Sequence, residues 1–507
     1  MPYADTPPLP LPEADAATMA LAMQARAELA LLSYPDASWV QPTSDGHVLD
    51  VLIVGGGQSG LGTAAALRAQ GVTRTAVLDR AAPGQEGVWD SFARMPELRT
   101  PKQLNGLDMG LPALSVQRWY IARFGEAAWA GIDRIPRLHW MEYLRWYRAT
   151  LQLPVVNGVE VLNVRPAAAA DSAPSDDCIA VDTLQGGRSS TRLCRLVVLA
   201  TGMDGAGAWR VPAFIADALP ADCCHHSSEA IDFNALQGQR VGVLGHGAAA
   251  FDNAVAALRA GAHSVDLCFR RARLPRVNPH RHIENAGLLT HYARLPDAVR
   301  WQVASHFRRV DQPPPRGSFQ QACSWPNFTA HAACPWDRVH WNGSDIEVDT
   351  PQGGFRFDQV ICATGHALDL SARPELQALA PVIARWQDRF TPPADQAHAV
   401  LAAHPYLGEH YECLPREADS ESDWVTRVFA FNSLSYVSHG PHSTSISGHK
   451  HALPRLVRGL TQRLFLDQAH TLVDDLQRYD TQELDLPEDF GVKPAASEPT
   501  PSTATLA

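Results

Sequence analysis

The sequence lacks several features that would assign it to whole classes of proteins. None of its nine cysteines forms a C-x-x-C pair, so it carries neither a zinc-ligand set nor a disulfide framework. No apolar run reaches the roughly 18 residues that a membrane-spanning helix needs. The formal net charge is −11, from 43 Lys+Arg against 54 Asp+Glu, which argues against a nucleic-acid partner.

The N-terminus has no early basic residue, since the first one is Arg26. It therefore lacks the start of a secretory signal and the pattern of a transit peptide, and we expect a cytoplasmic protein. An apolar fraction of 45% with 19% charged residues is typical of a globular chain with large cores. A length of 507 residues predicts roughly three domains.

A strand, a glycine turn, a helix and a second strand follow one another from Asp50 to Asp79. The turn reads G-x-G-x-x-G, with glycines at Gly55, Gly57 and Gly60. Such glycines permit a tight turn, let a pyrophosphate approach the backbone, and allow close packing of helix on strand. Asp79 ends the second strand, where a carboxylate accepts hydrogen bonds from the ribose of an adenosine. This unit predicts a site for FAD or NAD.

The same unit occurs again from Arg240, with Gly245 and Gly247 in a G-x-G-x-x-A turn. Here the second strand is followed by Arg270 and Arg271 instead of a carboxylate. Guanidinium groups pair with a 2′-phosphate, which a carboxylate would repel. The second unit therefore predicts an NADPH site.

Two further apolar strands end in Ala-Thr-Gly, at Thr201-Gly202 and at Thr364-Gly365. With these turns in place, the chain from about residue 48 to 460 resembles the flavin-containing monooxygenases. The remaining motifs that carry this resemblance are Gly87-Val-Trp89 and Leu98-Arg-Thr-Pro-Lys102. The first of them implies that Trp89 contacts a cofactor.

The resemblance implies FAD and NADPH as cofactors, and a small organic substrate and O2 as reactants. NADPH would reduce the flavin, and a C4a-(hydro)peroxyflavin would transfer one oxygen atom to the substrate. It also implies three catalytic candidates: Arg99 and Lys102 beside the flavin, and His226 in the linker before the second turn. Two departures stand out, since the Phe-x-Gly portion of the linker fingerprint is missing and Arg99 stands near the family's asparagine. A homodimer is a further expectation, and no metal is expected.

The loop after His439 contains Ser443 and Thr444 and precedes a helix. Because the chain of this fold returns late to the flavin, these hydroxyls are expected to contact the cofactor. Aromatic residues in Leu111–Tyr147 (expected to be helical) and Cys323–Trp341, together with an expected helix over Gly287–Val310, are candidates for the substrate wall. Buried core is the alternative for each stretch.

The fold class predicted is α/β, with two Rossmann-like dinucleotide-binding domains and helical additions. The FAD domain is expected to be discontinuous, with the NADPH domain inserted into it. The predicted segments are an N-terminal tail and helix (1–47), the first segment of the FAD domain (48–205), an NADPH domain (206–349) with a long insert (272–345), the second segment of the FAD domain (350–465), and a C-terminal helix and loose tail (466–507).

Several functions fit two dinucleotide sites. The main hypothesis is an NADPH- and FAD-dependent monooxygenase. The alternatives are a heteroaromatic (urate-type) hydroxylase of the same architecture and an NADPH-dependent flavoprotein oxidoreductase or oxidase without oxygen insertion. A disulfide reductase would need a C-x-x-C or C-x4-C pair after a dinucleotide turn, which the sequence lacks. A nucleotide-sensing module would not need the second turn.

Overall fold

The computed structural model describes residues 15–33, 38–43, 47–104, 106–171, 177–417, 421–487 and 490–491. The loose ends expected at 1–12 and 493–507 lie outside these ranges. Contacts divide the chain into two compact units, 1–464 and 465–507. No helix among the described residues is long and apolar enough to cross a membrane.

The strands form the two sheets that hold the glycine turns, a smaller three-stranded sheet and a two-stranded pair. They are β1 Leu49–Val54, β2 Thr75–Asp79, β3 Val155–Asn157, β4 Val159–Pro166, β5 Ile179–Gln185, β6 Arg188–Leu199, β7 Gly207–Trp209, β8 Cys224–His226, β9 Arg240–Leu244, β10 Ser264–Cys268, β11 Phe328–His331, β12 Arg338–Trp341, β13 Ile346–Thr350, β14 Gly353–Phe357, β15 Gln359–Cys362, β16 His366–Leu368 and β17 Val428–Ala430.

The helices cover the sheet faces and form the insert. They are α1 Ala16–Leu31, α2 Gln58–Ala69, α3 Val116–Phe124, α4 Glu126–Ala130, α5 Arg137–Leu151, α6 Ala213–Ala216, α7 Ala248–Arg259, α8 His280–Ile283, α9 Ala286–His291, α10 Asp297–Val310, α11 Arg316–Cys323, α12 Trp386–Arg389, α13 Ala399–Ala402, α14 Tyr436–His439, α15 His449–Asp467 and α16 Leu472–Arg478.

The first sheet has the strand order β3-β2-β1-β6-β5-β4, and β17 pairs with β6. Strands β3, β2, β1, β6 and β17 pair in parallel, whereas β4, β5 and β6 form an antiparallel extension. All six residues of β1 are buried, as expected for an apolar central strand of a parallel sheet. The chain thus returns to this sheet more than 200 residues after leaving it.

The second sheet is parallel throughout, in the order β11-β10-β9-β15-β8. The predicted α/β fold with two dinucleotide-binding sheets is confirmed. A smaller antiparallel sheet, β12-β13-β14, and the β7-β16 pair complete the strand structure of the described residues.

Two expected helical stretches are interrupted. Leu111–Tyr147 divides into a 3-10 turn and the helices α3, α4 and α5, and Gly287–Val310 is broken between α9 and α10 at Pro296. The tryptophans and tyrosines of α3 and α5 are buried in the core that covers the first sheet, Trp140 and Tyr147 completely. The core interpretation therefore holds for these buried aromatic residues.

Candidate functional site

One cavity of about 2750 Å³ brings the two glycine turns to a common space. Gly55 and Gly57 of the first turn line it, and His246 and Ala248 of the second turn face the same volume. Two nucleotide-binding segments that lie about 190 residues apart in the chain thus open onto one site.

The first turn is built as its glycines predict. Gly55 has φ +104°, and a Cβ there would lie 2.6 Å from the Ala200 carbonyl oxygen. A Cβ on Gly60 would overlap the Gly55 carbonyl oxygen. Helix α2 can therefore pack this closely on the strand only because residue 60 is a glycine. The Gly56 amide donates to Asp79 Oδ2 at 2.6 Å, which fixes the carboxylate at the turn.

Gly57 stands at the open side of this turn. A Cβ there would meet only Gly87 Cα, at 3.6 Å, so the space in front of it is free for a ligand. Gly57 is the N-cap residue of helix α2, and no side chain caps this helix start. Its first amide N–H groups are therefore available to phosphate oxygens, as an FAD pyrophosphate requires.

A buried ionic network lies beside the first turn, since a Cβ on Gly56 would be 3.1 Å from Glu86 Cγ. Arg148 donates to Glu86, and Asn157 Nδ2 donates to the same Glu86 oxygen at 2.6 Å. Both charged side chains are about 6% exposed. Desolvation by burial lowers the pKa of the Arg148 guanidinium, although Glu86 opposes that shift. Sequence reasoning missed this pair, because its partners lie on separate segments.

The second turn repeats the first one. Gly245 has φ +140°, and a Cβ there would lie 2.4 Å from the Ala363 carbonyl oxygen. A Cβ added to Gly247 would have no atom within 4 Å. Gly247 is the N-cap residue of α7, and no side chain caps this helix start. A second pyrophosphate therefore fits this helix start by the same argument.

The two arginines after β10 both line the cavity, but their surroundings differ. Arg271 lies 3.5 Å from Asp311 Oδ2, which also bonds His246 Nε2 at 3.1 Å. The His246 hydrogen bond holds the pKa of Asp311 below its ordinary value. Arg270 is exposed and has no ionic partner among the described residues, so it is the freer group for a 2′-phosphate.

Arg99 lines the cavity and joins the two nucleotide-binding halves. Its Nη2 donates to Asp252 Oδ2 at 3.0 Å, and Asp252 lies on α7 with only 3% of its side chain exposed. The Ser318 hydroxyl donates to the other oxygen of Asp252 at 2.5 Å. Arg99 is thus held at the site through a fixed carboxylate.

The other two catalytic candidates do not line the cavity. Lys102 Nζ donates to the Trp129 carbonyl oxygen at 2.6 Å and stacks over that residue's ring at 5.0 Å. His226 is 1% exposed and lies behind Trp209, at 5.6 Å between ring centroids. Desolvation lowers the pKa of His226. The structure therefore places both side chains in supporting positions, without direct access to the reacting groups.

The Ala-Thr-Gly turns reach the cavity from both sheets. Thr201, Gly202 and Thr364 line it, as does Trp89, whereas Gly365 does not. Thr201 Oγ1 accepts a hydrogen bond from Asn432 Nδ2 at 3.0 Å, which ties this turn to a late segment of the chain.

Ser443 and Thr444 also line the cavity, and the loop that carries them is fixed to the first turn by His449. His449 Nδ1 donates to the Ser445 carbonyl oxygen at 2.5 Å, so its Nε2 accepts from the Ser59 hydroxyl at 2.9 Å. Burial lowers the pKa of His449 to about 4, which keeps the ring neutral at pH 7. Ser59 itself lines the cavity.

A pair of histidines on the cavity wall was not among the sequence candidates. His280 Nδ1 and His442 Nε2 lie 3.0 Å apart, and burial lowers the pKa of each to about 4. The concentration of histidines from His439 to His451 was the signal that could have drawn attention to this segment. Of the three stretches proposed for the substrate wall, the cavity reaches residues 131–134 of the first and Phe307 and Arg308 of α10, but no residue of Cys323–Trp341.

Comparisons with known sequences agree with this geometry. A family profile described as FAD-NAD(P)-binding matches residues 52–204. The FAD-dependent urate hydroxylase of Xanthomonas campestris pv. campestris is 44% identical over 458 residues, which cover 90% of this chain and 95% of that protein.

Solved structures share the fold at low sequence identity. The ornithine hydroxylase of Pseudomonas aeruginosa superimposes with a TM-score of 0.64 at 19% identity, covering 82% of this chain and 100% of that one. The cadaverine monooxygenase of Erwinia amylovora, solved with FAD, gives 0.63 at 15% identity, covering 89% and 99%.

Proposed function

This chain belongs to the flavin-containing monooxygenase-like family of FAD/NAD(P)-dependent oxidoreductases, and we propose that it hydroxylates urate or a closely related oxidised purine. The general activity is that of an FAD- and NADPH-dependent monooxygenase, which consumes O2 and a small organic substrate. The urate assignment is narrower, and it is supported by the 44% identical urate hydroxylase.

The observation that carries the activity is the cavity shared by both glycine turns. A flavin bound at the first turn and a nicotinamide nucleotide bound at the second would meet in this cavity. When bound, the flavin supplies hydride acceptance and O2 activation, which side chains cannot supply.

The residues at the first turn fit FAD. The uncapped start of α2 and the free space before Gly57 suit the pyrophosphate. Asp79 lies at the ribose end, and its two oxygens already hold the Gly56 and Ala81 amides at 2.6 and 2.7 Å. A carboxylate oxygen accepts more than one hydrogen bond, so ribose hydroxyls remain compatible with this arrangement.

The remaining groups orient the reactants. Arg99, held by Asp252, presents a guanidinium where the two halves meet. Thr201, Thr364 and Thr444 offer hydroxyl groups to the cavity. Trp209 closes one side, with its Nε1 donating to Asp204 Oδ1 at 2.6 Å.

We also propose a cytoplasmic location, which the odd number of cysteines and the lack of a C-x-x-C pair support. A homodimer stays a prediction.

The test uses the purified holoenzyme with NADPH, urate and ¹⁸O2. We expect one labelled oxygen atom in the product for each NADPH consumed. Ornithine and lysine, tested in parallel, should give no product. NADPH loss matched by hydrogen peroxide, with no label in any product, would show an oxidase instead of an oxygenase. Labelled product from another substrate but none from urate would contradict only the urate assignment.

A further inference from the structure

The cavity wall formed by α8 and the loop after α14 carries polar groups that neither glycine turn uses. His280 and His442 come from segments 162 residues apart and are joined by the 3.0 Å bond between their rings. Phe307 packs edge-on against His280, with ring centroids 4.7 Å apart. Both histidines line the cavity, so this pair is a defined portion of its surface.

The hydrogen bonds around the pair favour one proton position on each ring. The Ser445 hydroxyl donates to the His442 carbonyl oxygen at 3.0 Å, and a carbonyl oxygen can only accept. With its proton directed away, Ser445 Oγ accepts from His442 Nδ1 at 3.0 Å. Neutral His442 then accepts at Nε2 from His280 Nδ1–H, because a neutral imidazole has one donor and one acceptor nitrogen.

This assignment leaves Nε2 of His280 as a lone-pair acceptor. It has no hydrogen-bond partner within the ranges of the chain that the structure describes. The ring is held on two sides, by His442 and by Phe307, so the acceptor is presented at a fixed place on the cavity wall.

Asn278 supplies the complementary donor. Its Oδ1 accepts from the His280 backbone amide at 3.1 Å, which identifies the oxygen and leaves Nδ2 as the free end of the amide. Nδ2 has no partner among the described residues, and Asn278 also lines the cavity. A donor and an acceptor therefore stand two residues apart on the same segment.

We propose that Asn278 and His280 bind and orient the substrate: His280 Nε2 accepts a ring N–H, and Asn278 Nδ2 donates to the neighbouring carbonyl oxygen. This pattern recognises the lactam edge of an oxidised purine, in which N–H and C=O groups alternate. His442 acts as a positioning residue, since it fixes the proton on His280. The proposal rests on the proposed function and names the residues that would select its substrate.

The test measures the Kd of urate for the oxidised holoenzyme without NADPH. Binding is monitored by the change in flavin absorbance. His280→Phe keeps an aromatic ring but removes the acceptor, and we expect the Kd for urate to rise about tenfold. FAD content and the Kd for NADP⁺ should stay at wild-type values. His282→Phe is the matched control, because His282 is exposed on the same helix and does not line the cavity.

A second variant keeps the test valid if His280→Phe loses its flavin. Asn278→Asp is isosteric and retains the oxygen that accepts from His280, but it replaces the donor by a carboxylate. It should weaken urate binding at least as strongly. Ring N-methylated urates add a further readout: the isomer that lacks the recognised N–H should bind wild type and His280→Phe equally.

The outcomes separate the two proposals. If wild type incorporates labelled oxygen into urate but both variants bind urate with unchanged Kd, this inference is overturned and the proposed function stands. If wild type neither binds nor hydroxylates urate, the urate assignment fails and the inference fails with it.

Discussion

The guanidinium of Arg99 lies 3.0 Å from the carboxylate of Asp252, and this contact joins the segment after the first glycine turn to the helix of the second. Arg99 is 39% exposed, whereas Asp252 is 3% exposed. The buried partner therefore determines where the more exposed one is held.

Replacing Asp252 with Asn should weaken this junction. The amide still accepts one hydrogen bond, but it loses the charge that holds Arg99 and Ser318. We expect the free energy of unfolding to fall by about 1–2 kcal/mol, measured by urea denaturation of the holoenzyme.

The control for that experiment is Asp349→Asn, which breaks an ion pair with Arg338 whose side chains are 55% and 76% exposed. An exposed pair of this kind should change stability by less than about 1 kcal/mol. Equal effects of the two substitutions would contradict a structural role for the Arg99–Asp252 contact.

Gly57→Val should yield a folded protein without flavin. The added Cβ meets only one atom, at 3.6 Å, so the turn tolerates it, but the side chain occupies the space that the pyrophosphate needs. Absorbance of the purified protein measures the flavin content.

Gly247→Val serves as the counterpart at the second turn, where an added Cβ also has free space. This variant should keep its FAD and lose affinity for NADP⁺. If Gly57→Val purifies with full flavin, or if Gly247→Val loses it, the assignment of cofactors to turns is wrong.

Arg270 should set the preference for NADPH more strongly than Arg271. Arg271 already faces Asp311 at 3.5 Å, whereas Arg270 has no such partner in the described chain. Arg270→Ala should raise the Kd for NADP⁺ about tenfold and leave that for NAD⁺ unchanged. Arg271→Ala should have a smaller effect in the same titration.

Arg273→Ala is the control for these variants, because Arg273 is exposed nearby and does not line the cavity. A parallel loss of NAD⁺ and NADP⁺ affinity in Arg270→Ala would rule out recognition of the 2′-phosphate by this residue.

Stability should fall as the pH decreases from about 6.5 toward 4. Burial lowers the pKa of His449 to about 4, while an unfolded histidine titrates near 6.5. In this window the unfolded chain binds more protons than the folded one, so acid favours unfolding. His280 and His442 act in the same direction.

His449→Gln should flatten the pH dependence of the free energy of unfolding. One such histidine contributes on the order of 2 kcal/mol between pH 6.5 and pH 5, so the variant should lose that much of the decline. His282→Gln, at an exposed position, should leave the slope unchanged. An unchanged slope in His449→Gln would show that this ring does not titrate with folding.

Local chemistry explains why the sequence alone determined the two nucleotide-binding units. Gly55 and Gly245 have positive φ angles, and a Cβ on Gly60 would meet the Gly55 carbonyl oxygen within the same turn, so the local glycine spacing marks these positions in the sequence. The strands beside them are apolar because parallel sheets are buried on both faces. The α/β fold and the identities of the two cofactors followed from these features.

Tertiary structure decided what fills the space between the units. His280 and His442 are 162 residues apart in the chain, and no periodicity relates them. Lys102 followed a family motif, yet its ammonium is bound by the Trp129 carbonyl 27 residues away. Composition also could not separate the core aromatics of α3 and α5 from a substrate wall, because both are apolar. Such contacts depend on which segments the two sheets bring together, and that is settled only when the chain packs.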